Sequence, residues 1–351
     1  ISMLPSEPKI FHGRESELSD ILKTFGNGKP RIAILVGAGG IGKSTLARAV
    51  LHHEEIIRIF QHWRFFVVCD SVSSKLELAG LIGAHLGLKP GKDLTRAIIK
   101  SFSNNPPCLL ILDNLETLWE VQESKGDIEE FLSLLTDIQH LALVITMRGA
   151  ERPAKVRWTR PFSPPLKPLE QDAARKTFID IAGDDHDRED IEKILFLTDN
   201  MPLAIDLMAH VAEAEGCSSV LSRWVEEKTS VLSEGFDRGS NLDLSISLSL
   251  SSPRMTSPPH SQELLSLLVI LPDGLSDVEL LQCELPIKDP LGCKAALLRT
   301  SLVYMDAQKR VKTLSPIREY MQKYHPVSPG LVRPLLQYFQ ELLELYESQS
   351  G

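Results

Sequence analysis

The sequence predicts an α/β domain built on a parallel sheet, followed by an all-α helical domain and a smaller domain in which three helices precede a β-ribbon. Three observations carry this expectation. Short apolar runs at Arg31–Val36, Phe65–Cys69, Cys108–Leu112 and Leu141–Thr146 alternate with helical stretches, the rhythm of a doubly wound sheet. The segment Pro161-Phe162-Ser163-Pro164-Pro165-Leu166-Lys167-Pro168 fits neither a helix interior nor a central strand and reads as an ordered connector. Beyond it the apolar periodicity is almost wholly helical.

Residues 1–30 read as a polar entry loop and a lead-in helix that ends near Gly26-Asn27-Gly28. Residues 31–165 hold the sheet. Residues 166–238 give helices at Glu170–Ile181, Asp187–Leu197, Pro202–Ala214 and Ser218–Leu232, a small bundle. In residues 239–326 a proline-bearing surface loop, Ser251–Ser261, precedes helices near Gln262–Leu271, Ser276–Cys283 and Leu291–Leu298. Extended runs at Ser301–Asp306 and Arg310–Leu314 then turn at Ala307-Gln308-Lys309, and a helix at Pro316–Tyr324 closes the unit, in the order of a winged-helix domain. Residues 327–351 begin a C-terminal helical region with Leu331, Leu335, Phe339, Leu342 and Tyr346 on one face.

Composition narrows the function classes. At 351 residues, 43% hydrophobic and 24% charged, the chain has enough apolar content for several packed domains. A net charge of −9 repels nucleic-acid backbones and anionic lipid, so nucleic acid is an improbable partner without a local basic face. No run approaches the roughly 18 apolar residues of a membrane span, so no membrane partner is expected. Five scattered cysteines without a C-x-x-C pair fit reduced thiols and a cytoplasmic location. A first residue other than Met reads as an excised or processed piece.

Gly37-Ala38-Gly39-Gly40-Ile41-Gly42-Lys43-Ser44-Thr45 matches G-x-x-x-x-G-K-[ST] in full, between an expected strand and an expected helix. Glycines allow consecutive amides to curl around a phosphate, and the helix start adds a positive dipole end. Lys43 is then expected on the β- and γ-phosphates of ATP, or the β-phosphate of ADP, and Ser44 on Mg²⁺. Leu109-Leu110-Ile111-Leu112-Asp113 is an apolar strand ending in a carboxylate, a second Mg²⁺ ligand in that setting or else a plain helix cap. Asn114 follows, and an amide cannot act as a base. Glu116 is the nearer candidate for polarising water, or else a solvated loop acid. Arg148, after the fourth apolar run, is placed to meet a γ-phosphate or to lie on the surface.

Taken together these residues resemble the NB-ARC type of STAND ATPase, the nucleotide switch of NOD-like and apoptosome-type proteins of innate immunity, particularly its fungal members. The likeness runs from about Phe11 to Tyr324. Phe11-His12-Gly13-Arg14 resembles the family's entry motif near the adenine, Thr146-Met147-Arg148 its sensor segment, and Asn200-Met201-Pro202-Leu203-Ala204 its G-L-P-L-A helix start. The resemblance implies that Phe11, His12, Arg14 and Pro202 lie about the adenine nucleotide. It also implies a closed state with ADP, an open homo-oligomer with ATP, and flanking regions, often TPR repeats in fungi, that meet a ligand or an effector protein. The family's M-H-D histidine has no counterpart here: the stretch reads Leu314-Ser315-Pro316-Ile317-Arg318, which leaves Ser315 as the residue able to reach a phosphate.

The leading expectation is thus a signalling switch with slow Mg²⁺-dependent hydrolysis. A turning-over ATPase that loads or remodels a client is the first alternative. A winged-helix DNA regulator is the second, though residues 241–325 hold nine Lys/Arg against nine Asp/Glu and offer no electrostatic advantage to phosphates.

Overall fold

The computed structural model describes residues 4–25, 32–70, 72–120, 125–227, 242–251, 255, 257–306 and 308–349. The chain divides into two compact units, Ile1–Gly37 with Ile41–Ala173, and Ala38–Gly40 with Ala174–Gly351.

In the first unit β1 (Ile32–Gly37), β2 (Arg64–Val68), β3 (Cys108–Asp113) and β4 (Leu141–Arg148) form a parallel sheet in the order β1-β4-β3-β2. Every residue of β3 and β4 is buried. A parallel strand covered on both faces has no wet side, which is why these stretches read as unbroken apolar runs and not as alternating ones. Helices α1 (Glu15–Phe25), α2 (Lys43–His52), α3 (Glu54–Phe60), α4 (Lys75–His85), α5 (Leu94–Asn104), α6 (Glu116–Glu120) and α7 (Lys125–Thr136) make the crossovers and flanking layers. Val67, Leu110, Leu143 and Ile145 of the sheet pack with Phe102 of α5 and Phe131 of α7. Each such side chain, fully buried, contributes roughly 1.5–3 kcal/mol. The register sets Gly37 opposite Arg148 and Val68 opposite Asp113, so the strand ends that carry polar residues share one edge of the sheet.

The proline-rich connector lies along the outer edge of β1. Thr159 donates its N–H to Ile32 O at 3.1 Å, and Leu166 donates to Val36 O at 2.9 Å. Residues 159–166 therefore run beside β1 as an interrupted fifth strand. The interruption follows from Pro161, Pro164 and Pro165, which have no N–H to give to a ladder. Arg152 closes the detour by donating to Ser163 O at 2.7 Å and stacking 4.4 Å from the centre of the Phe162 ring.

Helix α8 (Gln171–Ala182) crosses from the first unit into the second, which goes on with α9 (Arg188–Thr198), α10 (Pro202–Glu215) and α11 (Cys217–Glu227), all within two residues of their expected starts. The expected continuation of α11 to Leu232 lies outside the described residues, as do Gly26-Asn27-Gly28 and Ala307. Helix α12 (Leu242–Leu250) occupies a stretch where serine and leucine or isoleucine largely alternate, so periodicity gave no helix there. Next come α13 (Ser261–Leu268), α14 (Asp277–Gln282), α15 (Pro290–Arg299), the antiparallel pair β5 (Tyr304–Met305) and β6 (Val311–Lys312), α16 (Ser315–Tyr324) and α17 (Pro329–Gln349).

Local chemistry explains several of these boundaries. Ser276 and Glu279 form a reciprocal capping box on α14. Arg310 fixes the ribbon to that helix through Glu279 and the carbonyls of Asp273 and Gly274. On α17, Leu331 and Leu335 are buried while Phe339 and Leu342 are half-buried, so the expected apolar face is covered mainly in its first half.

Candidate functional site

The turn from β1 into α2 depends on glycine at two positions. Gly40 has φ 75° and Gly42, the residue capping α2, has φ 93°. A left-handed conformation costs an L side chain about 1–2 kcal/mol. The helix starts directly at Lys43, so its free N–H groups and positive dipole end belong to the loop.

Four charged side chains converge behind this turn, all buried: Lys43, Asp113, Glu116 and Arg148. Lys43 donates from Nζ to Gly37 O at 3.1 Å. Ser44, the first residue after it, donates from Oγ to Asp113 Oδ1 at 2.8 Å, so the loop hydroxyl and the carboxylate at the end of β3 meet although 69 residues separate them. Thr146 Oγ1, on the neighbouring strand, donates to the same oxygen at 2.6 Å and accepts the Asn114 N–H at 2.9 Å. Asn114 itself sits at φ 59°, a left-handed value that asparagine tolerates better than most residues.

Glu116 corrects an expectation. As a loop acid it would be solvated, yet it opens α6 and is only 2% exposed. Its carboxylate pairs with Arg148, Nε to Oε1 at 3.2 Å, and accepts the Arg148 backbone N–H at 3.4 Å. Arg148 is correspondingly a buried residue and not a surface one.

Electrostatics follow from this burial. Loss of water pulls the Lys43 ammonium down to about 8, with Arg148 adding repulsion while Glu116 and Asp113 oppose the shift. Burial likewise pushes the Asp113 carboxyl above its ordinary range, helped by Glu116 and Asp70, while the Thr146 and Ser44 hydroxyls hold it back. Two cations and two carboxylates neutralise one another here, and a polyphosphate brought to Lys43 would favour its charged form.

The donor set suits Mg²⁺. Asp113 and Ser44 offer two hard oxygens in contact, and among the described residues no group of three His, Cys, Asp or Glu forms an all-protein cage. Mg²⁺ characteristically takes one or two protein oxygens and completes its shell with phosphate and water. Asp70, beyond the end of β2, is a further carboxylate near Asp113 that sequence reasoning did not single out.

The entry segment is built onto the same unit. Arg48 and His52 of α2 hold the carbonyls of Ser6 and Pro5 at 2.9 and 2.6 Å. Phe11 and His12 are half-buried. Arg14 is buried and spans three segments, donating to Ile41 O at 3.1 Å and to Lys167 O, and pairing with Glu17 at 3.0 Å. A cavity of about 890 Å³ lies between α1 and the connector, reached by Gly13, Arg14 and Phe162 and by none of residues 38–45. It is therefore not the phosphate cradle.

In the second unit Pro202 takes the first position of α10. Ser315 takes the first position of α16, where its backbone N–H is bonded by the Asp199 carboxylate. Asp199 was missed from sequence; the signal for it was Asp-Asn ahead of a proline-started helix, two residue types that accept left-handed backbone, as both do here with φ 46° and 54°.

Residues 3–157 match the family described as Novel STAND NTPase 1. Among solved structures the chain is similar to a Walker-type ATPase of Pyrococcus abyssi, with 13% identity, 92% of this chain and 99% of that chain covered and a TM-score of 0.62. It is also similar to Cdc6p of Pyrobaculum aerophilum, with 14% identity, 96% and 97% covered and a TM-score of 0.52. A third is the Aeropyrum pernix ORC1 protein, solved in complex with DNA, with 15% identity, 94% and 96% covered and a TM-score of 0.51. At such identities the likeness is one of fold. Together, the family match, the parallel sheet and the complete glycine loop support a STAND-type P-loop NTPase domain that binds nucleotide.

Proposed function

We propose that this chain is an adenine-nucleotide switch of the STAND class, closed with ADP, open and self-associating with ATP, and slow in Mg²⁺-dependent hydrolysis. The observation that carries the reading is the joining of Ser44 to Asp113 at 2.8 Å beside a buried Lys43, which brings a phosphate lysine, a metal hydroxyl and a metal carboxylate to one strand edge. Gly37, Gly39, Gly40, Ile41, Gly42 and Thr45 complete the loop, and the order of helices, ribbon and helix from Ser261 to Tyr324 supports a winged-helix unit.

Slow turnover is supported by the surroundings of the candidate base. Asn114 cannot accept a proton, and Glu116 is engaged by Arg148 at 3.2 Å. An arginine that turns from the carboxylate to a γ-phosphate releases Glu116 from this pairing, so phosphate sensing and the polarising of water draw on the same pair. In place of the family's histidine latch, the start of α16 is held by Asp199.

The reading is tested by denaturing the purified protein, identifying the nucleotide released, and titrating ATP·Mg²⁺ into wild type and Lys43→Ala. An adenine nucleotide and loss of binding in the variant are expected, with circular dichroism unchanged. Wild-type affinity in Lys43→Ala would refute the site.

A further inference from the structure

Between the end of β4 and the connector the chain reads Arg152-Pro153-Ala154-Lys155-Val156-Arg157-Trp158-Thr159-Arg160-Pro161-Phe162, with four cations and no carboxylate, in a protein whose net charge is −9. This sequence lines an open surface hollow of about 600 Å³ in the first unit, bordered by Arg152, Arg157 and Arg160 with Trp158 and Phe162, and by no acid. A volume of that size is ordinary for a small-molecule site.

The arginines are not neutralised from within. Arg152 and Arg160 stack on the same Phe162 ring, 4.4 and 5.3 Å from its centre. Their guanidinium groups are thus no farther apart than roughly one Debye length at 0.1 M salt, about 10 Å, so they repel each other, an effect that added salt weakens. Arg157 and Arg160 are exposed and, among the described residues, form no ion pair. Arg152 spends one nitrogen on Ser163 O while its Nε is buried with no acceptor. Two exposed guanidinium groups without a carboxylate partner, on a concave surface that holds no acid, form an arrangement that an anion completes.

We propose that this pocket is a second anion site, separate from the glycine loop, for a compact, multiply charged phosphoryl ligand of the size of pyrophosphate or a nucleoside diphosphate. Three guanidinium forks match the oxygens of two adjoining phosphoryl groups. A long polyanion is disfavoured because the field of the whole chain is negative and the cations are confined to one concave segment. The inference does not rest on the switch reading.

Radiolabelled pyrophosphate is dialysed to equilibrium against the full chain saturated with ADP, against Lys43→Ala, and against Arg157→Ala/Arg160→Ala, whose altered residues are exposed. Expected are one saturable site per chain in the first two, weakened by added salt, and a loss of about tenfold or more in affinity in the double variant. Arg160→Glu alone is expected to abolish uptake while ADP affinity stays that of wild type. Uptake lost in Lys43→Ala but kept in the arginine variants would overturn the proposal, since the glycine loop would then be the only site. So would binding of a short single-stranded oligonucleotide through these arginines with no uptake of pyrophosphate. Failure of ADP to bind at all would count against the switch reading and leave the pyrophosphate comparison intact.

Discussion

Lys43 holds its proton less firmly than an exposed lysine because it is buried near Arg148, and this makes nucleotide affinity pH-dependent in a defined direction. Phosphate selects the ammonium form, so affinity for ATP is steady below about pH 8 and falls as pH rises through it. Stability moves the other way: between about 8 and the ordinary 10.5 the unfolded chain binds more protons than the folded one, so this group's contribution to stability rises with pH. Calorimetric titrations of ATP across this range check the first statement, and a flat profile would contradict it. A second residue-level expectation concerns Glu116→Gln. It removes the carboxylate charge from a buried ion pair with Arg148, which costs up to roughly 3–5 kcal/mol in the free protein. Bound ATP supplies another partner, so the loss of melting temperature is expected to shrink when ATP·Mg²⁺ is added; an equal loss with and without nucleotide would exclude a phosphate role for Arg148. Much of this site was legible in the sequence, because Gly37–Ser44 and Asp113 are each marked by local pattern. The Glu116–Arg148 pair was not, since the two residues lie 32 positions apart and meet only through strand packing and burial.

At the scale of elements, the start of α16 depends on a carboxylate supplied by the turn after α9. Such a cap is worth about 1 kcal/mol. Asp199→Ala is expected to lower stability by that amount or somewhat more, because alanine also tolerates φ 46° poorly. Asp199→Asn keeps an acceptor and accepts the backbone, so it is expected to lose less than half as much. Urea denaturation of the three proteins separates the cases, and equal stability of wild type and Asp199→Ala would show that the contact contributes nothing. Helix existence was legible wherever apolar residues recur with helical spacing, as in α5, whose Leu94, Ile98 and Phe102 are buried at intervals of four. It was illegible in α12, where Leu242, Ile246 and Leu250 are buried at the same interval of four but stand among further leucines that mask it.

For the whole molecule, a switch and a motor differ in how often they turn over. Sustained hydrolysis slower than about one per minute is expected, together with a rise in mass by light scattering when a non-hydrolysable ATP analogue replaces ADP. Rapid steady turnover with no change in mass would favour a client-remodelling ATPase instead. The order of the sheet could be anticipated from sequence only as far as its being parallel, because nothing local records that β4 inserts between β1 and β3. The detour beside β1 has a further consequence. An open strand at the border of a sheet is a template on which a stranger's backbone can polymerise, and folded proteins that keep one bare are prone to fibrils and inclusion bodies. Here Pro161, Pro164 and Pro165 occupy that border with residues unable to donate, so this side of the sheet is guarded during crowding and refolding by the same segment that leads the chain out of it.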